Sequence, residues 1–127
     1  MEFFEDGDEI VSLWHPESKF QGWSNTLHGG IQALLLDEIC AWAIMRKLQT
    51  AGVTSRMTTK YLKSVSTLDD HLTLRSSIVS QRRNIVTVEA RIYNEAGELC
   101  TEAEAVYFCM SREKAAAEMD FHGCETE

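Results

Sequence analysis

The segment 25–38 combines residue types that can act together on a carbonyl group. Two adjacent glycines, Gly29 and Gly30, follow a histidine and precede the most apolar part of the chain. Glycines at the start of a helix let a ligand approach the free N–H groups there, where a developing negative charge is favoured. A carboxylate, Asp37, follows about two helical turns later. Oxyanion donors followed by a carboxylate at this spacing predict hydrolysis of an activated carbonyl compound.

The apolar segment 31–45 predicts a buried helix that has to accommodate two adjacent carboxylates. Asp37 and Glu38 lie among leucine, isoleucine and alanine residues, and no Lys or Arg is found within four positions of either. An ionised carboxylate that loses its hydration needs a partner or takes up a proton. We therefore interpret one of the two as a functional carboxylate, and the residues alone do not choose between them. The alternative is that both belong to a solvated face of an amphipathic helix.

Length and composition indicate one globular domain. With 127 residues, of which 44% are apolar, the chain can bury a substantial core. A net charge of −8 argues against a nucleic-acid partner. The cysteines show neither C-x-x-C pairing nor metal-ligand spacing, and this pattern is typical of a reducing compartment. We see no signal peptide and no segment suited to a bilayer, so we expect a cytoplasmic protein without a metal site, a membrane span or a nucleic-acid partner.

Hydrophobic patterning predicts one long helix and an antiparallel sheet. The helix is expected from Gly29 or Gly30 to about Leu48, because basic residues occupy its last turn and a glycine follows. Alternating patterns with a period of two predict strands, and the expected strands cover 10–14, 54–63, 71–82, 85–94 and 99–110. Because the links between the last four strands are short and polar, we expect antiparallel hairpins.

A sheet that wraps around a single apolar helix buries both elements economically. The predicted fold class is therefore α+β, in a single domain that spans residues 1–127. Its core is expected over about 10–111, and the charged segment 112–127 is expected to be a tail.

The order of elements and the motif together resemble the hotdog-fold acyl-CoA thioesterases of the phenylacetate-degradation (PaaI-like) type. The resemblance covers roughly residues 10–111, and its most specific part is His-Gly-Gly with an acidic residue nine positions after the histidine. It rests on these segments of the chain: Phe20-Gln21-Gly22-Trp23, His28-Gly29-Gly30, Leu35-Leu36-Asp37-Glu38, Gly52-Val53-Thr54 and Lys60-Tyr61-Leu62-Lys63. It implies a hotdog fold, in which an antiparallel sheet wraps around one long central helix.

Carried onto this sequence, the resemblance implies a site that hydrolyses thioesters. The amide of Gly29 would polarise the thioester carbonyl, and His28 would shape the turn before the helix. The nine-residue spacing from His28 selects Asp37 as general base or nucleophile. Thr54 matches the position of a hydroxyl residue that helps to place the attacking water.

Further residues are predicted to bind the acyl-CoA substrate. The basic ones would meet the phosphates of coenzyme A, as basic residues in such loops often do in this fold. The predicted substrate-binding residues are Asn25, Gly30, Lys63, Arg82, Arg83 and Asn84. Some relatives have an asparagine six residues before the histidine, where this chain has Gly22, and either Gln21 or Asn25 could replace it.

The resemblance also implies self-association. Members of the family work as dimers or tetramers, so Asp37 would act on a substrate held by Gly29 of the partner subunit. Coenzyme A would enter as part of the substrate, and no separate cofactor is implied. Two other functions stay open: a non-catalytic acyl-CoA-binding module, which the glycine at position 22 favours, and a dehydratase or hydratase acting on acyl thioesters.

Overall fold

An antiparallel sheet packed against one long helix forms the frame of the protein. The computed structural model describes residues 2–23 and 25–109. The helix α1 covers Gly29–Leu48, and a short 3-10 helix covers Ser18–Phe20. The strands within the described residues are β1 (Glu2–Asp6), β2 (Glu9–Trp14), β3 (Gln21–Trp23), β4 (Thr26–Leu27), β5 (Gly52–Tyr61), β6 (Leu72–Arg82), β7 (Ile85–Tyr93) and β8 (Leu99–Cys109).

The large sheet has six strands in the order β1-β2-β6-β7-β8-β5, and all of its neighbouring strands are antiparallel. The strands β3 and β4 pair separately with each other. The helix α1 packs against the inner face of the large sheet, where it contacts β2, β5, β6, β7 and β8. This arrangement confirms the predicted α+β hotdog architecture.

The helix begins and ends where the sequence predicts. His28 caps its N-terminus, Arg46 and Lys47 lie in its last turn, and Gln49 ends it with a left-handed backbone (φ 54°). Its inner face is buried and contributes Gln32, Leu35, Leu36, Ile39, Cys40, Ala43 and Ile44 to the interior. The helix is not enclosed on all sides, because Leu34 is 55% exposed. Within the described residues, no helix is long and apolar enough to cross a membrane.

The predicted hairpin between the first two long strands is wrong. The strand β5 lies at one edge of the sheet beside β8, whereas β6 lies between β2 and β7. The intervening segment 62–71 connects the edge strand to the middle of the sheet past β8 and β7, and its Val65 is fully buried. Val65 accepts a hydrogen bond from the backbone of Leu27 through its carbonyl oxygen, at 2.8 Å. The hairpins that join β6 to β7 and β7 to β8 are confirmed.

Two smaller differences concern the N-terminal part. The strand β1 was not predicted, because its acidic sequence lacks the usual alternation of apolar and polar residues. Between the predicted strand 10–14 and the predicted helix, the structure adds the short 3-10 helix and β3. The predicted tail at 112–127 lies outside the described residues.

A β-bulge in β5 changes which residues face the helix. Thr54 pairs with Tyr107, but Arg56 pairs with Val106, so Ser55 is an extra residue in the strand. Side chains alternate along a strand, so Thr54 and Met57, three positions apart, would otherwise face opposite sides. The extra residue places both of them on the inner face. The β5 residues that pair with inward-facing, buried residues of β8 are Gly52, Thr54, Met57, Thr59 and Tyr61.

Candidate active site

Two hydroxyl groups from neighbouring strands hold the carboxylate of Asp37. Thr54 Oγ1 on β5 donates to Asp37 Oδ1 at 2.9 Å, and Tyr107 Oη on β8 donates to the same oxygen at 2.6 Å. Thr54 and Tyr107 are also direct partners across the two strands. Among the described residues, no donor is found for Asp37 Oδ2. One carboxylate oxygen is therefore fixed by the protein, and the other is available to another group.

The structure distinguishes the two adjacent carboxylates, between which the sequence alone does not choose. Asp37 is partly buried and points at the strands, whereas Glu38 is exposed. Glu38 makes no hydrogen bond or ion pair with any residue that the structure describes. The geometry therefore favours Asp37 as the residue that the fold positions for chemistry.

Tyr107 is a part of this site that the sequence analysis did not identify. Its side chain is fully buried, and burial raises the pKa of its phenol above the ordinary value of 10.0, with further contributions from Cys40 and Asp37. The hydroxyl therefore stays protonated and remains a donor. The signal was available: Tyr107 is a polar group in the apolar end of a strand, and a buried tyrosine hydroxyl normally has a partner.

Cys40 lies one helical turn after Asp37 and faces the same interior. Burial is the largest cause that raises the pKa of its thiol, from 9.0 to about 12, and the nearby Asp37 adds to the effect. A thiol with so high a pKa is not a nucleophile near neutral pH. The Cys40 thiol is therefore not a candidate nucleophile of this site.

His28 builds the N-terminus of the helix. Its backbone N–H donates to Phe20 O at 2.9 Å, and its ring Nδ1 accepts from the Gly30 N–H at 2.9 Å. The first N–H groups of a helix have no partner within the helix, and this contact satisfies one of them. The N–H of Gly29 has no acceptor among the described residues. It is thus available to a ligand, in the place where the sequence predicts an oxyanion donor.

Tyr61 fixes the same turn from β5. Its Oη donates to the carbonyl oxygen of Gly29 at 2.9 Å. A Cβ atom at Gly29 would lie 3.4 Å from atoms of the Tyr61 ring, so the two residues are in close contact. A cavity of about 370 Å³ lies beside this turn, and it is lined by Lys19, Phe20, Gln21, His28, Gly30 and Ile31.

Gly29 and Asp37 do not meet within one chain. Asp37 lies eight positions after Gly29 on the helix, which corresponds to about 12 Å along the axis. The two predicted catalytic groups therefore lie at different points along α1.

The predicted substrate-binding residues occupy several places. Asn25 adopts a left-handed backbone (φ 56°), and its N–H donates to Gln21 Oε1 at 3.1 Å. The two residues that could replace the asparagine of some relatives are thus in contact with each other. Lys63 is paired with Glu98, and this pairing contributes to a lowered pKa for the Glu98 carboxyl.

The basic hairpin lies far from Lys63. Arg82, Arg83 and Asn84 form the exposed turn between β6 and β7. Arg82 pairs with Ile85 on β7, and Ile85 pairs with Phe108 on β8. Phe108 in turn pairs with Val53 on the edge strand β5. Lys63 follows the opposite end of β5, about 30 Å away for a strand of this length. A single chain therefore does not bring these cations together.

A separate cluster of side chains at the surface could hold a metal ion. Ligand atoms of Asp70, His71 and Glu95 lie within 4.8 Å of one another at the surface. They belong to the end of the sheet where β6 begins and β7 ends, whereas Thr54 and Tyr107 lie toward the other end. The cluster is therefore separate from the carboxylate site.

Comparisons with known proteins agree with this architecture. The family model for the thioesterase superfamily matches residues 24–101. A hypothetical thioesterase from Streptococcus pneumoniae TIGR4, solved with coenzyme A, is 26% identical with a TM-score of 0.79, over 87% of this chain and 85% of that chain. Other structures of that protein carry alanine in place of a threonine or an aspartate.

More distant structures show the same fold. The zebrafish thioesterase superfamily member 2 is 22% identical with a TM-score of 0.76, over 84% of this chain and 80% of that chain. Another thioesterase superfamily protein is 25% identical with a TM-score of 0.74, over 80% of this chain and 49% of that chain. The chain thus spans about half the length of that last protein. A search among curated proteins finds no match.

Proposed function

The chain belongs to the thioesterase superfamily, and from that premise we propose that it hydrolyses an acyl-CoA thioester to a free acid and coenzyme A. Asp37 is the catalytic carboxylate, acting as general base or as nucleophile, and the N–H of Gly29 is the oxyanion donor. The observation that carries the proposal is the carboxylate of Asp37, which has one oxygen fixed by two hydroxyls and the other available. Coenzyme A in the pneumococcal relative supports the choice of an acyl-CoA substrate.

The chemistry follows from these two groups. In the general-base route, Asp37 takes a proton from water as the water oxygen attacks the thioester carbon. The carbonyl oxygen becomes an oxyanion, and one well-aimed backbone donor stabilises such an oxyanion by about 3 kcal/mol. Collapse of the tetrahedral intermediate breaks the carbon–sulfur bond, and the thiolate of coenzyme A takes up the proton. General-base assistance contributes a factor of roughly 100 to 10,000 to the rate.

A dimer through β5 supplies both groups to one substrate. This strand is an edge of the sheet, and its outer side has no partner strand among the described residues. Antiparallel pairing of two copies, centred between Met57 and Thr58, places Thr54 opposite Tyr61 of the partner subunit. Since Thr54 contacts Asp37 and Tyr61 contacts Gly29, this pairing brings Asp37 close to Gly29 of the partner subunit. Pairing also covers an exposed edge, which proteins normally protect.

The same pairing accounts for the separated cations. Lys63 follows one end of β5, and the hairpin that contains Arg82 and Arg83 lies beside the other end. In an antiparallel dimer, the hairpin of one subunit and Lys63 of the partner subunit come to the same end of the joined sheets. We assign these residues to the phosphates of coenzyme A. Two such dimers can pair further into a tetramer.

The experiment that tests the function replaces the carboxylate without changing its size. Asp37→Asn should lower kcat for the best acyl-CoA substrate by at least about 100-fold, with the fold and the dimer retained. Glu38→Gln is the matched control, because Glu38 is the exposed neighbour on the same helix, and it should keep the parent activity. Released thiol, followed across a panel of aliphatic and aromatic acyl-CoAs, gives the rates and identifies the acyl group. Near-normal kcat in Asp37→Asn would exclude the assignment.

A non-catalytic acyl-CoA-binding module is the second candidate. The observation that favours it is Gly22, in the position where some relatives carry an asparagine. Binding of acyl-CoAs measured by calorimetry, together with no release of thiol from any substrate of the panel, would establish this alternative.

A further inference from the structure

We propose that Tyr107 is a positioning residue, which ties down Oδ1 of Asp37 so that Oδ2 is presented to the reacting groups. The proposal rests on the proposed function, since it takes Asp37 as the catalytic carboxylate. Tyr107 has no exposed surface, and it therefore acts on the reaction through Asp37 and not by touching the substrate.

The distances identify the acceptor of the Tyr107 hydroxyl. Tyr107 Oη lies 2.6 Å from Asp37 Oδ1 and 3.3 Å from the backbone oxygen of the same residue. A hydroxyl carries one hydrogen, so the shorter contact to the carboxylate is the effective bond. A distance of 2.6 Å is typical of a hydroxyl donating to an ionised carboxylate.

The two donors to Asp37 Oδ1, Thr54 and Tyr107, differ in how deeply they are buried. Thr54 is exposed, so its hydroxyl can exchange Asp37 for water. Tyr107 is fully enclosed by the core, and leaving its hydroxyl without an acceptor would be costly. Tyr107 thus keeps the carboxylate in one orientation even when Thr54 turns away, whereas Thr54 alone cannot.

The test is the variant Tyr107→Phe, which removes the hydroxyl and keeps the ring. We expect kcat to fall on the order of tenfold with little change in KM. Tyr93→Phe is the matched control, since it removes a phenol hydroxyl near the other end of the sheet and should leave both quantities unchanged. A Tyr107→Phe variant with the parent kcat would overturn the proposal.

A double-mutant cycle separates positioning from a loss of stability. If Tyr107 acts through Asp37, Tyr107→Phe should have no further effect on the residual rate of Asp37→Asn. An equal fold-loss in both backgrounds would assign Tyr107 a purely structural role. If the parent protein hydrolyses no thioester, the proposed function fails by itself. The contact is then read from the carbon-13 chemical shift of the Asp37 carboxyl group, which should change in Tyr107→Phe but not in Tyr93→Phe, and an unchanged chemical shift would overturn the inference.

Discussion

Thr54 and Tyr61 face the same side of β5 and hold two different turns of α1. Thr54 binds Asp37 in the middle of the helix, and Tyr61 binds Gly29 at its start. One strand thus fixes both the carboxylate and the first turn that carries the N–H donor. Since this strand is also an edge of the sheet among the residues that the structure describes, its pairing with a second copy would set the distance between the two groups across the interface.

The first prediction concerns the hydroxyl of Thr54. Thr54→Val keeps the shape of the side chain but removes one of the two donors to Asp37 Oδ1, so kcat should fall by about three- to tenfold. Thr54→Ser retains a hydroxyl and should keep most of the activity. Because Thr54 is exposed, the melting temperature should differ little among the three proteins. Full activity in Thr54→Val would show that this contact is dispensable for turnover.

The second prediction is that replacing Gly29 lowers the activity without lowering the stability. Gly29→Ala should leave the free energy of unfolding unchanged or raise it by up to about 1 kcal/mol, because alanine restricts the unfolded chain and favours a helix. The new methyl group lies at the N–H that the substrate approaches, so kcat should fall at least about tenfold. Urea unfolding and the thiol-release assay measure the two quantities.

The matched comparison is Gly30→Ala. Its Cβ would lie 3.1 Å from the Nδ1 and Cε1 atoms of the His28 ring, and the cap would have to shift. This variant should therefore lose stability, in contrast to Gly29→Ala. A Gly29→Ala protein that is stable and fully active would refute the oxyanion role of this amide.

The third prediction tests the shared site. Mixed subunits of Asp37→Asn and Gly29→Ala should recover part of the activity, since half of the sites in each mixed dimer combine the intact Asp37 of one chain with the intact Gly29 of the other. Exchange is verified separately by mass spectrometry of differently tagged subunits, and light scattering gives the oligomeric state. An active monomer, or no recovery despite proven exchange, would exclude a composite site.

The fourth prediction concerns alkaline pH. The folded protein holds the pKa of Cys40 at about 12, against 9.0 for an exposed thiol. This difference in pKa stabilises the folded protein, and the contribution is fully present below pH 9. It is lost as the pH rises toward 12, because the unfolded chain releases a proton that the folded chain retains. The free energy of unfolding should therefore fall by up to about 1.4 kcal/mol per pH unit from this group.

Tyr107, whose pKa is also raised, adds a loss of the same sign above pH 10. Urea unfolding at several pH values from about 8 to 11 measures the slope. Cys40→Ala should be less stable at pH 8 because of the cavity, but its stability should decline less steeply with pH. Parallel slopes for the two proteins would contradict the assignment.

The sequence predicts the local parts of this structure well and the long-range parts poorly. The bounds of α1 follow from the glycines, the basic last turn and the apolar run, all of which are close in sequence. The neighbours of β5 do not follow from local pattern, because a link of ten residues can either turn back or cross the sheet. Its position beside β8 depends instead on the burial of distant side chains such as Val65.

The candidate site divides in the same way. Asp37 and Gly29 could be found from one short segment of sequence, since their spacing and their apolar surroundings are visible there. Tyr107 is 70 residues away from Asp37, and only the register of β8 with β5 brings it to the carboxylate. That Thr54 faces the helix depends on the bulge at Ser55, and strict alternation along β5 would place its side chain on the outer face.

Because of the bulge at Ser55, the site depends on the number of residues in β5 as well as on their identities. An evolutionary deletion of one residue between Thr54 and Met57 would conserve every side chain that contacts Asp37 or Gly29. It would nevertheless turn the Thr54 hydroxyl to the outer face of the sheet, because side chains alternate along a strand. A comparison of relatives that scores only identities would count such a protein as intact, whereas one that also counts the residues between Thr54 and Tyr61 would recognise the lost contact.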